Sequence, residues 1–125
     1  MVAVDTSSMV AYLGGDRGTD VDRVHAALFA DRLVLPPPVF AELVSAPGLS
    51  AAVIDDLRAL RTHPIAPGYW ERVGRLRAAV LSKGRRARLG DALIAQYCMD
   101  YDLPLITRDK DFKHFAAAGG LTLVE

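Results

Sequence analysis

Short runs of β-branched and leucine-rich residues alternate along this chain with longer stretches whose apolar residues recur at i, i+3 and i+7. That alternation narrows the fold more than any other feature. The strand candidates are Val2 to Val4, Arg32 to Leu35, His63 to Ala66, Leu105 to Thr107 and Leu121 to Val124. Helical spacing runs through Val21, Val24 and Leu28, through Val53, Leu57 and Leu60, and through Val73, Leu76 and Val80 with Trp70 one turn earlier. Parallel neighbours need long connections, and a helix is the usual one. The expectation is therefore an α/β fold whose mostly parallel central sheet, of about five short strands, is flanked by helices. Gly14 and Gly15, Pro36 to Pro38, Pro47 and Gly48, Pro67 and Gly68, and Gly119 and Gly120 fall between the proposed elements, where turn-forming residues belong.

A length of 125 residues suits a single domain over positions 1–125, and an apolar share of 51% is enough to cover a sheet on both faces. The formal net charge is zero, so any nucleic-acid contact must be local rather than a property of the whole surface. The one cysteine, Cys98, excludes an internal disulfide and a multi-cysteine zinc site, and reads as a buried small hydrophobe. Met1 to Val4 meets Asp5 at once, without the basic lead and apolar stretch of a signal peptide. No apolar run approaches the roughly 18 to 20 residues of a membrane helix. A cytoplasmic, non-membrane protein is expected.

Ligands of open parallel sheets bind beyond the carboxyl ends of the strands, so acids just after strands are the ones to examine. Asp5 follows Val2 to Val4 directly, Asp109 and Asp111 follow Leu105 to Thr107, and Glu42 lies in the opening turns of the helix after Arg32 to Leu35. Each alone reads equally well as a helix cap or a solvated acid. Asp91 says more, because Asp91, Ile94, Ala95 and Cys98 fall at i, i+3, i+4 and i+7, on one apolar face. A carboxylate there must be paired, protonated or bound to a metal. Asp100 points away from that face and reads as ordinary surface. Asp5, Glu42, Asp91 and Asp109 together would make a cluster of hard oxygen ligands whose mutual repulsion a divalent cation relieves. Mg²⁺ or Mn²⁺ suits it better than Zn²⁺, since His25, His63 and His114 lie on separate segments as surface or packing residues.

Four pieces of the chain carry a family resemblance: Val-Asp-Thr-Ser at 4–7, Pro-Pro-Val-Phe-Ala-Glu-Leu at 37–43, Gly-Asp-Ala-Leu-Ile-Ala at 90–95 and Leu-Pro-Leu-Ile-Thr-Arg-Asp-Lys-Asp-Phe at 103–112. In that order, and across nearly the whole length, the chain resembles the PIN-domain ribonucleases, and among them the VapC-type toxins of VapBC toxin-antitoxin systems. The resemblance implies a three-layer PIN-like sandwich and a metal-dependent endoribonuclease leaving 5′-phosphate and 3′-hydroxyl ends. It places Asp5, Glu42, Asp91 and Asp109 in the family's acidic quartet, and Thr6 or Ser7 and Thr107 at its supporting hydroxyl positions. Asp111 is a fifth acid whose part as ligand, supporting group or helix-start residue stays open. The resemblance further implies a cognate VapB-type antitoxin and a homodimer; an antitoxin Arg or Lys entering an acidic pocket in place of metal is a physical route to inhibition. Residues 46–88 match nothing in these motifs.

Substrate phosphates need cations, and residues 61–88 hold Arg61, Arg72, Arg75, Arg77, Lys83, Arg85, Arg86 and Arg88 against the single acid Glu71. Arg75, Lys83, Arg85, Arg86 and Arg88 are the RNA-contact candidates, and Tyr69 and Trp70 border them as candidates for stacking on splayed bases. The competing description of the basic run is a solvated helix face with Trp70 in the core. A PIN nuclease outside toxin systems, acting in RNA processing or on DNA, shares the same motifs, and a non-catalytic module holding a partner's basic arm shares the same pocket. Asp5-Thr6-Ser7 lacks the acid two residues on that haloacid-type phosphatases carry and the paired acids of receiver domains.

Overall fold

The first strand of the sheet is also its centre. In a computed structural model describing residues 1–125, β1 (Val2–Val4) lies between β2 (Leu33–Val34) and β3 (Leu105–Ile106), in the order β2-β1-β3. Both pairings are parallel: Val2 and Ala3 face Leu33 and Val34, and Ala3 and Val4 face Leu105 and Ile106. Ala3 and Val4 are wholly buried, as expected for a parallel strand covered on both faces. Seven helices surround this sheet: α1 (Thr6–Leu13), α2 (Thr19–Phe29), α3 (Pro37–Val44), α4 (Ala51–Arg58), α5 (Tyr69–Ser82), α6 (Leu89–Asp100) and α7 (Phe112–Gly119). The expected α/β architecture is present.

The sheet has three strands rather than about five, because the proposed strand Leu121 to Val124 shrinks to a single bridge and His63 to Ala66 forms none. At one edge Arg61 bridges Val34, and the Leu35 N–H donates to the Arg61 carbonyl at 2.9 Å. The run from His63 to Ala66 continues no ladder, and Pro64 has no N–H to offer one. Tyrosines serve that segment instead: the Tyr97 hydroxyl accepts from the His63 N–H at 2.7 Å, and the Tyr101 hydroxyl donates to the Pro64 carbonyl. At the other edge Leu123 bridges Leu105, with Leu105 N–H donating to Thr122 and Val124 N–H donating to Leu105, both at 2.9 Å.

Tyr69, Tyr97, Phe112, Phe115, Ile94 and Leu105 are the large, fully buried centre of one hydrophobic cluster. Helix α5 buries Val73, Leu76 and Val80 as its spacing requires, but Tyr69 rather than Trp70 extends that face. Trp70 is 68% exposed, and its ring meets the Tyr69 ring edge-on. Helix α6 is the central helix. Its residues 92 and 94 to 98 are all buried, so the apolar face proposed for it is nearly its whole circumference. Asp100 is not ordinary surface. Its carboxylate takes both Nε (3.0 Å) and Nη2 (2.6 Å) of Arg72 and one bond from buried Gln96, which fastens α5 to α6 and holds its carboxyl below the usual range.

Candidate metal centre

Where β1 ends and α1 begins, Asp5 is the N-cap residue, and its side chain turns back to accept from the Ser8 N–H at 2.9 Å. Ser7 Oγ donates to the same carboxylate at 2.8 Å, and Thr107 Oγ1, just past β3, donates to Oδ2 at 2.6 Å. These bonds let a carboxylate sit at 2% exposure. Burial still pushes the Asp5 carboxyl above its ordinary value, against the downward pull of Thr107, Ser8 and Ser7 and with a push from the Asp109 charge.

The β3–α7 loop carries the next acids in a chain of backbone contacts. Thr107 Oγ1 accepts from the Asp109 N–H at 3.0 Å, and Asp109 Oδ1 accepts from the Asp111 N–H at 2.9 Å. One threonine hydroxyl therefore orients Asp5 and sets the loop that presents Asp109. From the β2 side, Glu42 arrives on the second turn of α3, whose start is shaped by Pro37 and Pro38. Thr6 Oγ1 donates to Glu42 Oε1 at 2.6 Å. Gly90 at the start of α6 lies beside this carboxylate: a Cβ at that position would be in ordinary contact with Glu42 Oε2, at 3.4 Å.

Asp91, in the first turn of α6, differs from the others. Its Oδ2 is fully buried and has no hydrogen-bond partner, the only such side-chain atom in the molecule. Burial, then the charge of Asp109 against the opposing pull of Arg88, push its carboxyl up to about 6. Asp5, Thr6, Ser7, Glu42, Arg88, Asp91, Ile94 and Asp109 line one cavity of about 230 Å³. The four acids of the proposed quartet thus face one space. Asp111, outside that lining, joins Asp91 and Asp109 in a group whose carboxylate oxygens all lie within 4.8 Å of one another. Asp111 stands at the N-cap of α7 but makes no capping bond with its side chain.

These residues fit a hard divalent cation. Every donor is oxygen, no histidine or cysteine lines the cavity, and the orphaned Asp91 oxygen is a buried charge without compensation unless a cation or a proton supplies it. The donor set itself disfavours zinc.

The basic candidates divide. Arg61 pairs with exposed Asp31 at 3.1 Å on the surface, whereas Arg72, paired with Asp100, and Arg77, whose Nε donates to the Ala87 carbonyl at 2.7 Å, serve the fold. Arg75 forms an exposed pair with Glu71 at 3.5 Å. Lys83, Arg85, Arg86 and Arg88 are exposed on the segment joining α5 to α6, and Arg88, the N-cap residue of α6, borders the carboxylate cavity. Tyr69 is excluded from stacking on a ligand, since it is buried with its hydroxyl donating to Leu93; Trp70 keeps an open face. His25 packs at a tilt against Phe29 and His63 against Tyr101, and neither histidine lines the carboxylate cavity.

Ser8 is a supporting residue absent from the sequence-based candidates. Asp at an N-cap followed by a residue three places on is the signature that points to it, since the N3 amide is the donor such a cap seeks.

The PIN domain family model matches residues 2–118. Ribonuclease VapC5 of Mycobacterium tuberculosis (strain ATCC 25618 / H37Rv) is 33% identical over 133 residues, covering 98% of this chain and 90% of the relative. Among solved structures, FitAcB from Neisseria gonorrhoeae superposes with a TM-score of 0.73 at 20% identity over 100% of this chain and 97% of that one. VapBC-5 from Mycobacterium tuberculosis, a member of the VapBC family of toxin-antitoxin systems, gives 0.68 at 24% identity over 99% and 97%. FitAB bound to an IR36 DNA fragment gives 0.72 at 18% identity over 99% and 94%. At these identities the structures share the fold.

Proposed function

This chain belongs to the PIN-domain family, and we propose that it is a metal-dependent endoribonuclease, the toxin of a toxin-antitoxin pair, with residues 1–125 acting as one domain. The observation that carries the reading is the buried, unpartnered Asp91 Oδ2 facing three further carboxylates across one cavity. Asp5, Glu42, Asp91 and Asp109 would hold Mg²⁺ or Mn²⁺, with Asp111 offering a further oxygen beside Asp91 and Asp109. A cation held there would supply an activated water for in-line attack on a phosphodiester and charge stabilisation for the leaving oxygen.

The chain's own groups do the remainder. Thr107, Ser7 and the Ser8 N–H hold Asp5 in one orientation, and Thr6 does the same for Glu42. Ile94 is the one apolar residue lining the cavity, and its apolar surface strengthens the electrostatics beside it. Arg88 at the rim, with Lys83, Arg85 and Arg86 on the approach to α6 and Arg75 on α5, supplies cations for the RNA backbone, and exposed Trp70 offers a face to a splayed base. The partner is a VapB-type antitoxin whose Arg or Lys enters the carboxylate cavity, and the working form is a homodimer. No helix is long and apolar enough to cross a membrane.

Cleavage of a mixed RNA substrate with and without Mn²⁺ or Mg²⁺, comparing wild type with Asp5→Ala and Asp91→Ala, tests the proposal. Metal-dependent cutting by wild type, lost in both variants with the fold intact by circular dichroism, is expected. Cutting that persists in excess chelator, or that survives both substitutions, would sink it.

A further inference from the structure

Asp20, near the start of α2, lies outside the carboxylate cavity yet touches two of the four chain segments that deliver its acids, the β1–α1 junction and the β3–α7 loop. Asp20 Oδ2 accepts from Ser8 Oγ at 2.8 Å, and Ser8 is the residue whose N–H holds Asp5. Both Asp20 oxygens also receive Arg108, Nε at 2.7 Å and Nη2 at 3.1 Å. Arg108 stands between Thr107 and Asp109. The Asp20 side chain is 11% exposed, and the Arg108 guanidinium beside it holds its carboxyl below the usual carboxylate range.

A second observation is independent of these bonds. Gly18, the N-cap residue of α2, has φ 153°, and a Cβ there would lie 2.5 Å from Asp20 Oδ1 and 3.2 Å from Arg108 Nη2. A side chain at Gly18 would press on both members of the pair, so something there would have to shift. A planar guanidinium–carboxylate fork fixes direction as well as distance, which a single hydrogen bond does not.

We propose that Asp20 is a positioning residue: through Ser8 and Arg108 it clamps the β1–α1 junction to the β3–α7 loop and so sets the distance between Asp5 and Asp109. The inference rests on the reading of the cavity as a metal centre. It goes beyond that reading by assigning the spacing of Asp5 and Asp109 to an ion pair, half-buried Asp20 with exposed Arg108, that lies outside the cavity lining. Metal sites depend on such outer groups because a ligand left free to turn loses affinity of about 10- to 100-fold.

The experiment uses no RNA. Mn²⁺ affinity by isothermal titration, and amide hydrogen exchange in the metal-free protein, are measured for wild type, Asp20→Asn, Gly18→Ala and Arg108→Lys, the last keeping the charge but not the fork. Each variant should weaken Mn²⁺ binding by about tenfold and raise exchange at the Asp109 and Asp111 amides, while α5 amides keep the wild-type rate. Unchanged Mn²⁺ affinity, or exchange that accelerates equally in α5, would overturn the clamp. Should Asp20→Asn fail to fold, Gly18→Ala and Arg108→Lys carry the test. A protein that binds Mn²⁺ with the expected variant effects but cuts no RNA would keep the clamp and overturn only the nuclease. If wild type binds no Mn²⁺, exchange alone decides.

Discussion

Replacing Asp91 with Asn should make the metal-free protein more stable at neutral pH, although it removes a proposed metal ligand. The Asp91 carboxyl is pushed from 3.8 up to about 6, by burial first and by Asp109 second. Because the folded value lies above the unfolded one, the protonated group stabilises the fold in acid; that contribution is full below about pH 4 and is lost as pH rises through about 6. Each pKa unit is worth about 1.4 kcal/mol, so the ceiling is about 3 kcal/mol. The residue is only half-buried, and solvent screening brings the working figure to about 1 to 2 kcal/mol. For a domain of this size that is a rise in Tm of about 4 to 8 °C. Thermal unfolding in chelator from pH 4 to 8 reads it directly: Asp91→Asn should gain on wild type steadily from pH 4 upward and level off above about 6. Added Mn²⁺ should then stabilise wild type and leave the variant unmoved. A variant no more stable than wild type at pH 7.5 in chelator would refute the claim that Asp91 carries an uncompensated charge.

Thr107→Val should cost about 1 to 3 kcal/mol, since it leaves the Asp5 carboxylate short of a 2.6 Å donor and the Asp109 N–H short of an acceptor; chemical denaturation measures it, and no loss would mean that water replaces the hydroxyl. Apparent Mn²⁺ affinity should fall by about tenfold for each pH unit below about 6, as protons compete at Asp91; an affinity flat from pH 5 to 7 would remove that group from the ligand set. Charge reversal of Arg85 and Arg86 together should weaken RNA binding and flatten its dependence on salt while leaving Mn²⁺ affinity alone, and an unaltered salt slope would take the segment out of the interface.

What could be read from the residues follows physical range. The alternation of strand-like and helical runs reports local conformation, so β1, β2, β3 and the α5 face emerge from it. Edge pairing depends on what lies alongside, which is why His63 to Ala66 looked like a strand and is instead held by Tyr97 and Tyr101. Asp91 stood out because its spacing set a charge among apolar residues, and the structure leaves that charge without a partner. Asp100 misled for the mirrored reason. Its spacing pointed outward, but Arg72, on another helix, reaches over to bury it, and no periodicity within α6 contains that partner. The clamp was invisible on the same grounds, as its partners are separated by 88 residues in one bond and 12 in the other.

The central place of β1 bears on when the molecule becomes dangerous to the RNA around it. β1 pairs with two strands that both follow it in the chain, and its Asp5 is fixed by a hydroxyl 102 residues further along. Synthesis proceeds from the N-terminus, and contacts that close so long a loop form late. A chain still on the ribosome has Asp5, Glu42 and even Asp91 in place in its sequence, yet lacks the strand and loop that gather them. A product truncated before Thr107 should therefore be harmless whether or not an inhibitor is at hand.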